Sequence, residues 1–160
     1  MAINFDKYLN TVPVERMGLR GWVEGKHFRG SDLIGEFVNL NTVVNDGKAQ
    51  TAGLINGVVT NFFEYLAIGT GTTTPAAANT VLAAEVGTRG SATQTRQTTT
   101  VTNDTAQLVA TFTFNGSTAI TESGIFDSSS TGTMLTRATF SAINVASGDS
   151  LQLTWKVQAS

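Results

Sequence analysis

Residues 62–75, FFEYLAIGTGTTTP, constrain the fold of this chain more than any other stretch. Phe62, Tyr65, Leu66, Ala67 and Ile68 place apolar groups on both faces of one extended run. A strand that is apolar on both faces must be covered on both sides, so Val58 to Ile68 is predicted as a central, deeply buried strand. The run ends in Gly69-Thr70-Gly71-Thr72, a turn sequence, and Thr74 with Pro75 then reads as the cap and first residue of a short helix closed by Gly87.

The rest of the chain is consistent with strands. Threonine supplies roughly one residue in six, whereas charged residues make up 14% and prolines number two. β-Branched residues suit a pleated surface, so this mixture favours strands over helices. At 160 residues with 41% hydrophobic content, the chain is long enough for one well-filled core and short for two.

Period-two alternation is clearest at Leu108, Ala110, Phe112 and Phe114, which alternate with Val109, Thr111 and Thr113. It recurs at Leu151, Leu153, Trp155 and Val157, which share one face of a closing strand. Further strands are predicted at Ile120 to Phe126, Met134 to Phe140 and Ser150 to Gln158. Met17 to Lys26 and Asp32 to Val44 read as a hairpin joined by the polar segment His27 to Ser31. Asn45-Asp46-Gly47 offers a cap for a helix over Lys48 to Ile55, stopped by Asn56-Gly57. The polar segment Ser91 to Thr102, with Arg96 in it, is expected as an outer strand facing solvent or a partner.

The fold expected is therefore mainly β: an antiparallel, jelly-roll-like β-sandwich with one or two short helices. Residues 1–16 show no sustained period and contain Pro13, so they read as an extended N-terminal arm preceding a single domain at 17–160, with the hairpin at 17–44 part of that domain.

Several chemistries fit the composition poorly. A formal charge of -2 lacks the basic footprint of a nucleic-acid binder. The chain has no cysteine, which excludes disulfides and thiolate chemistry within it. No 18-residue apolar run predicts a membrane span, and the polar N-terminus does not read as a secretory signal. Gly69-Thr70-Gly71-Thr72 lacks the third glycine of a dinucleotide fingerprint and the Gly-Lys-Ser/Thr of a P-loop, so it reads as a structural turn. His27, the single histidine, is expected in a solvated hairpin loop without metal or catalytic partners. No cofactor is expected; the Asp127 and Asp149 turns offer oxygens to a calcium ion, but neither has the spacing of a calcium loop.

Among carboxylates, Glu64, Glu85 and Glu122 are the candidates for a catalytic pair. Glu64, in an apolar strand, is better explained by edge exposure or an interface salt bridge. Trp155 reads as core, whereas Trp22 suits either packing or an interface. Trp22, Glu64 and Arg96 are the interface candidates in the domain, and no catalytic constellation is predicted.

Four segments carry a resemblance to a known family: NDGKAQTAGLING, FEYLAIGTGTTTP, ITESGIFDSSSTGTMLTRATF and INVASGDSLQLTWKV. Together with the preceding FVNLNTVVNDG, the run from Asn45 to Gln158 resembles a family of tailed-bacteriophage structural proteins found in decoration proteins and tail-fibre modules. The resemblance implies a non-enzymatic β-sandwich that assembles into virions as an oligomer, with a trimer favoured, and a hydrogen-bonding role for Glu122. Taken with the unpatterned arm and the single small domain, it points to a capsid decoration (cement) protein that clamps the major capsid protein on the outer shell. Phe5, Tyr8, Leu9 and Val12 would then be the arm's anchors. The alternative is a tail-fibre or receptor-binding module recognising a bacterial surface glycan, with the Asp127 to Gly132 loop and Trp22 as its contacts.

Overall fold

The computed structural model describes residues 17–160, and the expected arm at 1–16, with Phe5, Tyr8, Leu9 and Val12, lies outside the described residues. The chain forms β1 (Leu19–Arg29), β2 (Asp32–Leu40), β3 (Thr42–Val43), α1 (Asn45–Asn56), β4 (Tyr65–Gly69) and β5 (Glu85–Ser91). It continues through β6 (Thr93–Gln97), β7 (Thr105–Thr113), β8 (Thr118–Phe126), β9 (Met134–Val145) and β10 (Asp149–Ala159). Two five-stranded antiparallel sheets pack as a sandwich, ordered β2-β1-β10-β7-β6 (sheet A) and β3-β9-β8-β4-β5 (sheet B).

The core between the sheets follows the period-two pattern. Leu151, Leu153, Trp155 and Val157 of β10 face inward beside Leu108, Ala110 and Phe112 of β7 and Val23 of β1. Opposite them stand Leu66 and Ile68 of β4 with Ile120 and Ile125 of β8. Trp155, fully buried as its alternation with leucine and valine predicts, donates its indole N–H to Ser123 Oγ at 3.1 Å, and that hydroxyl donates to the Ala67 carbonyl at 2.7 Å. The buried indole N–H is thus satisfied across the two sheets.

Sheet B is also covered on its outer side, where Ala67 and Phe126 meet Leu82, Val44 and Met134 in a second, smaller cluster. This is the double burial expected for the central strand. The strand itself is shorter than expected, since pairing begins only at Tyr65, and Val58 to Glu64 runs irregularly with Phe62 exposed.

α1 is longer than its predicted core of Lys48 to Ile55. Val44, in extended geometry, is the N-cap without a side-chain capping bond, so the Asn45-Asp46-Gly47 cap lies inside the helix instead. Gly47 sits where an added Cβ would collide with the backbone of Leu135, which lets the helix lie directly on β9. Gly57, at φ 75°, ends the helix as Asn56-Gly57 predicts.

Two expectations are overturned. Residues 74–86 form no helix; 74–84 run as turns and bends, Glu85 and Val86 open β5, and Gly87, at φ 69°, lies within β5 beside a register shift. The amides of Ala83 and Ala84 donate to the Glu122 carboxylate, and the Asn79 side chain accepts from the Ala76 amide. These tertiary acceptors replace the intrahelical carbonyls that a helix would have used. His27 is not in a loop either. β1 continues through it to Arg29 because β10 pairs along its full length, and the turn is displaced to Gly30-Ser31, with Gly30 at φ 60°.

Candidate functional site

The chemically richest region lies on the outer face of sheet B, under residues 70–84. Glu122 of β8 and Arg137 of β9 form an ion pair there, Nη2 to Oε2 at 2.7 Å, and both side chains are excluded from water. Glu122 Oε1 accepts from the amides of Ala84 at 2.7 Å and Gly71 at 3.0 Å, and Oε2 accepts from Ala83 at 3.1 Å and from Arg137 Nε at 2.8 Å. Arg137 reaches onward to Asn79 Oδ1 at 3.0 Å and Thr73 Oγ1 at 3.1 Å. Gly69 and Gly71 make room for this: a Cβ at Gly69 would lie 2.5 Å from Glu122 Oε1.

Burial alone would raise the Glu122 carboxyl, but the amides of Ala84 and Ala83 and the Arg137 guanidinium outweigh it and hold the group below the usual carboxylate range. The acceptor capacity of the carboxylate is spent on the chain's own donors. The arrangement therefore locks the Gly-Thr-Gly-Thr turn and the loop beyond it onto the sheet, and it offers no face to a substrate.

A second cluster closes the end where β1 and β10 meet. Asp149, 1% exposed, accepts from Arg29 through Nε at 2.9 Å and Nη2 at 3.0 Å, from the Ala146 amide at 2.9 Å, and lies 2.8 Å from His27 Nε2. Arg29 first, then the Ala146 amide, and then His27 overcome the effect of burial and push the Asp149 carboxyl far below its ordinary value. His27, expected in solvent, is 8% exposed. Its place on the inward face was legible in the alternation Val23, Gly25, His27.

The loop after β8 is fixed from two sides. Arg89 stacks over Phe126 at 3.5 Å, pairs with Glu85 and donates to the carbonyls of Ser128 and Thr131. Asp127 accepts from the Thr133 amide at 2.6 Å and from Gln50 Nε2 at 2.8 Å. Among the described residues no group of three His, Cys, Asp or Glu could hold a metal ion. The oxygens considered for calcium at Asp127 and Asp149 are engaged by protein donors.

The three interface candidates of the domain are not brought together. Trp22 lies half-buried on the outer face of sheet A, donating to Glu24 Oε1 at 3.0 Å, with Lys156 Nζ 5.8 Å from its ring centre. Arg96, exposed on the edge strand β6, borders an inter-sheet groove with Phe62 and Phe63. Glu64 stands half-buried just before β4, with its backbone bonded to Phe126 and Ala92, and it meets no cation in the ion pairs of the described residues. Glu85 and Glu122 make no catalytic pair, because one is bridged to Arg89 and the other is sealed.

Sequence reasoning missed the roles of Arg137 and Arg89, and it reached Asp149 only as a turn residue considered for calcium. A charge at an otherwise buried strand position, as in MLTRATF, was the available signal for the first.

The outer face of sheet A is of another kind. Across β1 and β2, Trp22 stands opposite Leu40, Glu24 opposite Val38 and Phe28 opposite Leu33. Leu40 is 75%, Val38 69% and Leu33 49% exposed. β2 is also a sheet edge of nine residues, with Glu36 exposed on it opposite Lys26 and a register shift in its pairing with β1. Comparison with known proteins returns no matching family model, no similar curated protein and no similar solved structure.

Proposed function

We propose that this protein is a non-enzymatic bacteriophage virion structural protein: a capsid decoration protein that binds the outer shell and clamps neighbouring copies of the major capsid protein. The observation that supports it best is the exposure of Leu33, Val38 and Leu40 beside Trp22 on the edge strand β2 and its neighbour, in a domain whose loops are internally tied. Exposed apolar groups gathered in this way mark interaction sites, and here the Lys26–Glu36 pair of positions lies between Val38 and Leu33 on the same face. The resemblance of the segments from Asn45 to Gln158 to phage structural proteins supplies the kind of partner.

The mechanism is linkage. A protein that binds adjoining capsid subunits only in the assembled lattice stabilises that lattice against outward pressure, without any chemical step. The β1–β2 strip would supply one contact and residues 1–16, through Phe5, Tyr8, Leu9 and Val12, the second. Two tethered contacts bind more tightly than either alone when the spacing lets both engage. A homotrimer at a local threefold position would place three such pairs around one axis.

Co-sedimentation of the full-length protein with shells stripped of it tests the reading. Val38→Glu and Phe5→Ser/Leu9→Ser should each release protein from the pellet while leaving the melting curve in place. Undiminished binding by both variants would contradict clamping. A glycan-binding tail module is the competing reading, and retention on a host surface polysaccharide that is lost in Trp22→Ala would favour it.

A further inference from the structure

We propose that Asn115 is a site of covalent modification: in the folded protein its side-chain amide is lost to attack by the Gly116 backbone nitrogen, which leaves aspartate or isoaspartate in the turn between β7 and β8. The chain holds two Asn-Gly pairs, Asn56-Gly57 and Asn115-Gly116, and both are exposed. The reaction requires the nitrogen that follows asparagine to reach its Cγ, and glycine has no Cβ to crowd the approach. Sequence and exposure are thus alike at the two sites, and local structure separates them.

Asn115 and Gly116 form a bend outside both strands. The turn is pinned at its ends. Phe114 donates its amide to the Asp149 carbonyl at 3.0 Å and accepts from the Gly148 amide at 2.8 Å, and Thr118 pairs with Val145. Between those anchors, neither the Asn115 side chain nor the Gly116 amide enters a hydrogen bond among the described residues, and a Cβ at Gly116 would meet nothing within 4 Å. The attacking nitrogen and the carboxamide therefore need break no such bond to meet. Asn56, by contrast, is the last residue of α1. Its Oδ1 accepts from the Val58 amide at 3.1 Å, and the Val59 amide closes the helix end on the Gly53 carbonyl at 3.1 Å. A helical ψ of about −42° turns the next nitrogen away from Cγ, so the ring cannot close there until the helix end opens.

In the step itself, the Gly116 nitrogen gives its proton to solvent and forms a bond to Asn115 Cγ, while the Cγ–Nδ2 bond breaks and ammonia leaves. Water then opens the cyclic imide, at Cγ to give aspartate or at the main-chain carbonyl to give isoaspartate. One water is taken up and one ammonia released, with no oxidant or reductant. The product is ionised at neutral pH. It places a new negative charge at the margin of the cleft that Asn115 lines with Val86, Phe112 and Phe114, and isoaspartate lengthens the turn by one backbone atom.

Incubating the full chain in mildly alkaline heavy-oxygen water, then digesting it in ordinary water for mass spectrometry, reads the newly formed carboxylates at each asparagine separately. In the folded protein Asn115 should convert at least about tenfold faster than Asn56, which must first be released from the helix end; in denaturant the two should convert at similar rates. Gly116→Ala should slow Asn115 and leave the melting curve in place, because the added Cβ meets nothing within 4 Å. Equal rates at the two sites in the folded protein would overturn the inference, as would no conversion at Asn115 over a period in which the denatured chain converts. Neither outcome involves shell binding, so failure here is separate from failure of the clamp.

Discussion

The two sheets of this sandwich share one core yet have opposite outer faces. Sheet B is covered on its outer side by the 70–84 loop and α1, so Glu122 and Arg137 lie beneath a second layer. Sheet A carries nothing over its outer face among the described residues; it shows threonine and glutamine toward β6 and Leu33, Val38 and Leu40 toward β2. In the sheet that is covered by its own chain, polar groups act as internal fastenings. In the bare sheet, the apolar groups have no internal explanation, and a partner is the economical one. On the proposed reading sheet B carries stability and sheet A association, and substitutions should divide accordingly.

The largest effect is expected at the buried ion pair. Arg137→Met leaves the Glu122 carboxylate buried and unneutralised, a change that costs about 3–5 kcal/mol, and chemical denaturation should show it as a lowered midpoint. Replacing both partners by apolar residues should not restore stability, because the amides of Gly71, Ala83 and Ala84 would lose their acceptor. A double variant as stable as the wild type would show that the carboxylate does not hold the loop.

The Asp149 cluster predicts an acid limb. Its folded-state carboxyl lies far below the ordinary 3.8, so its contribution is fully present above that value and is lost as pH falls below it. Melting temperature should drop as pH falls below about 4, and Asp149→Asn should be less stable at neutral pH with a shallower acid dependence. An unchanged acid limb in that variant would assign the loss to other carboxylates.

On sheet A the stability effect should be smallest. Val38→Glu changes an exposed edge position, for which shifts within about 0.5 kcal/mol are usual, while its effect on particle binding should be large. A variant that unfolds the domain would erase the contrast between the two faces.

How much of this was legible depends on whether the deciding partner was near in sequence. Alternation at Leu108 to Phe114 and at Leu151 to Val157 encodes its own answer, because the facing layer need only be apolar. The double burial of Leu66 to Ile68 was legible for the same reason. Thr74-Pro75 followed by alanines carries a helix signal, yet Glu122, some forty residues away, takes the amides. The polarity of His27 and its neighbours points to a turn, whereas its inward place depends on Leu151 in the last strand. The fastenings of Arg137 to Glu122, of Arg89 to Ser128 and Thr131, and of Asp149 to Arg29 and His27 join residues 15 to 122 positions apart, so a linear reading does not pair them.

The central claim is that the bare face of sheet A is built for repeated contacts on a shell. Quantitative mass spectrometry of purified particles would count this protein against the major capsid protein. The account predicts a simple, lattice-like ratio with copies distributed over the whole shell; a handful of copies per particle would contradict it and move the protein to the tail.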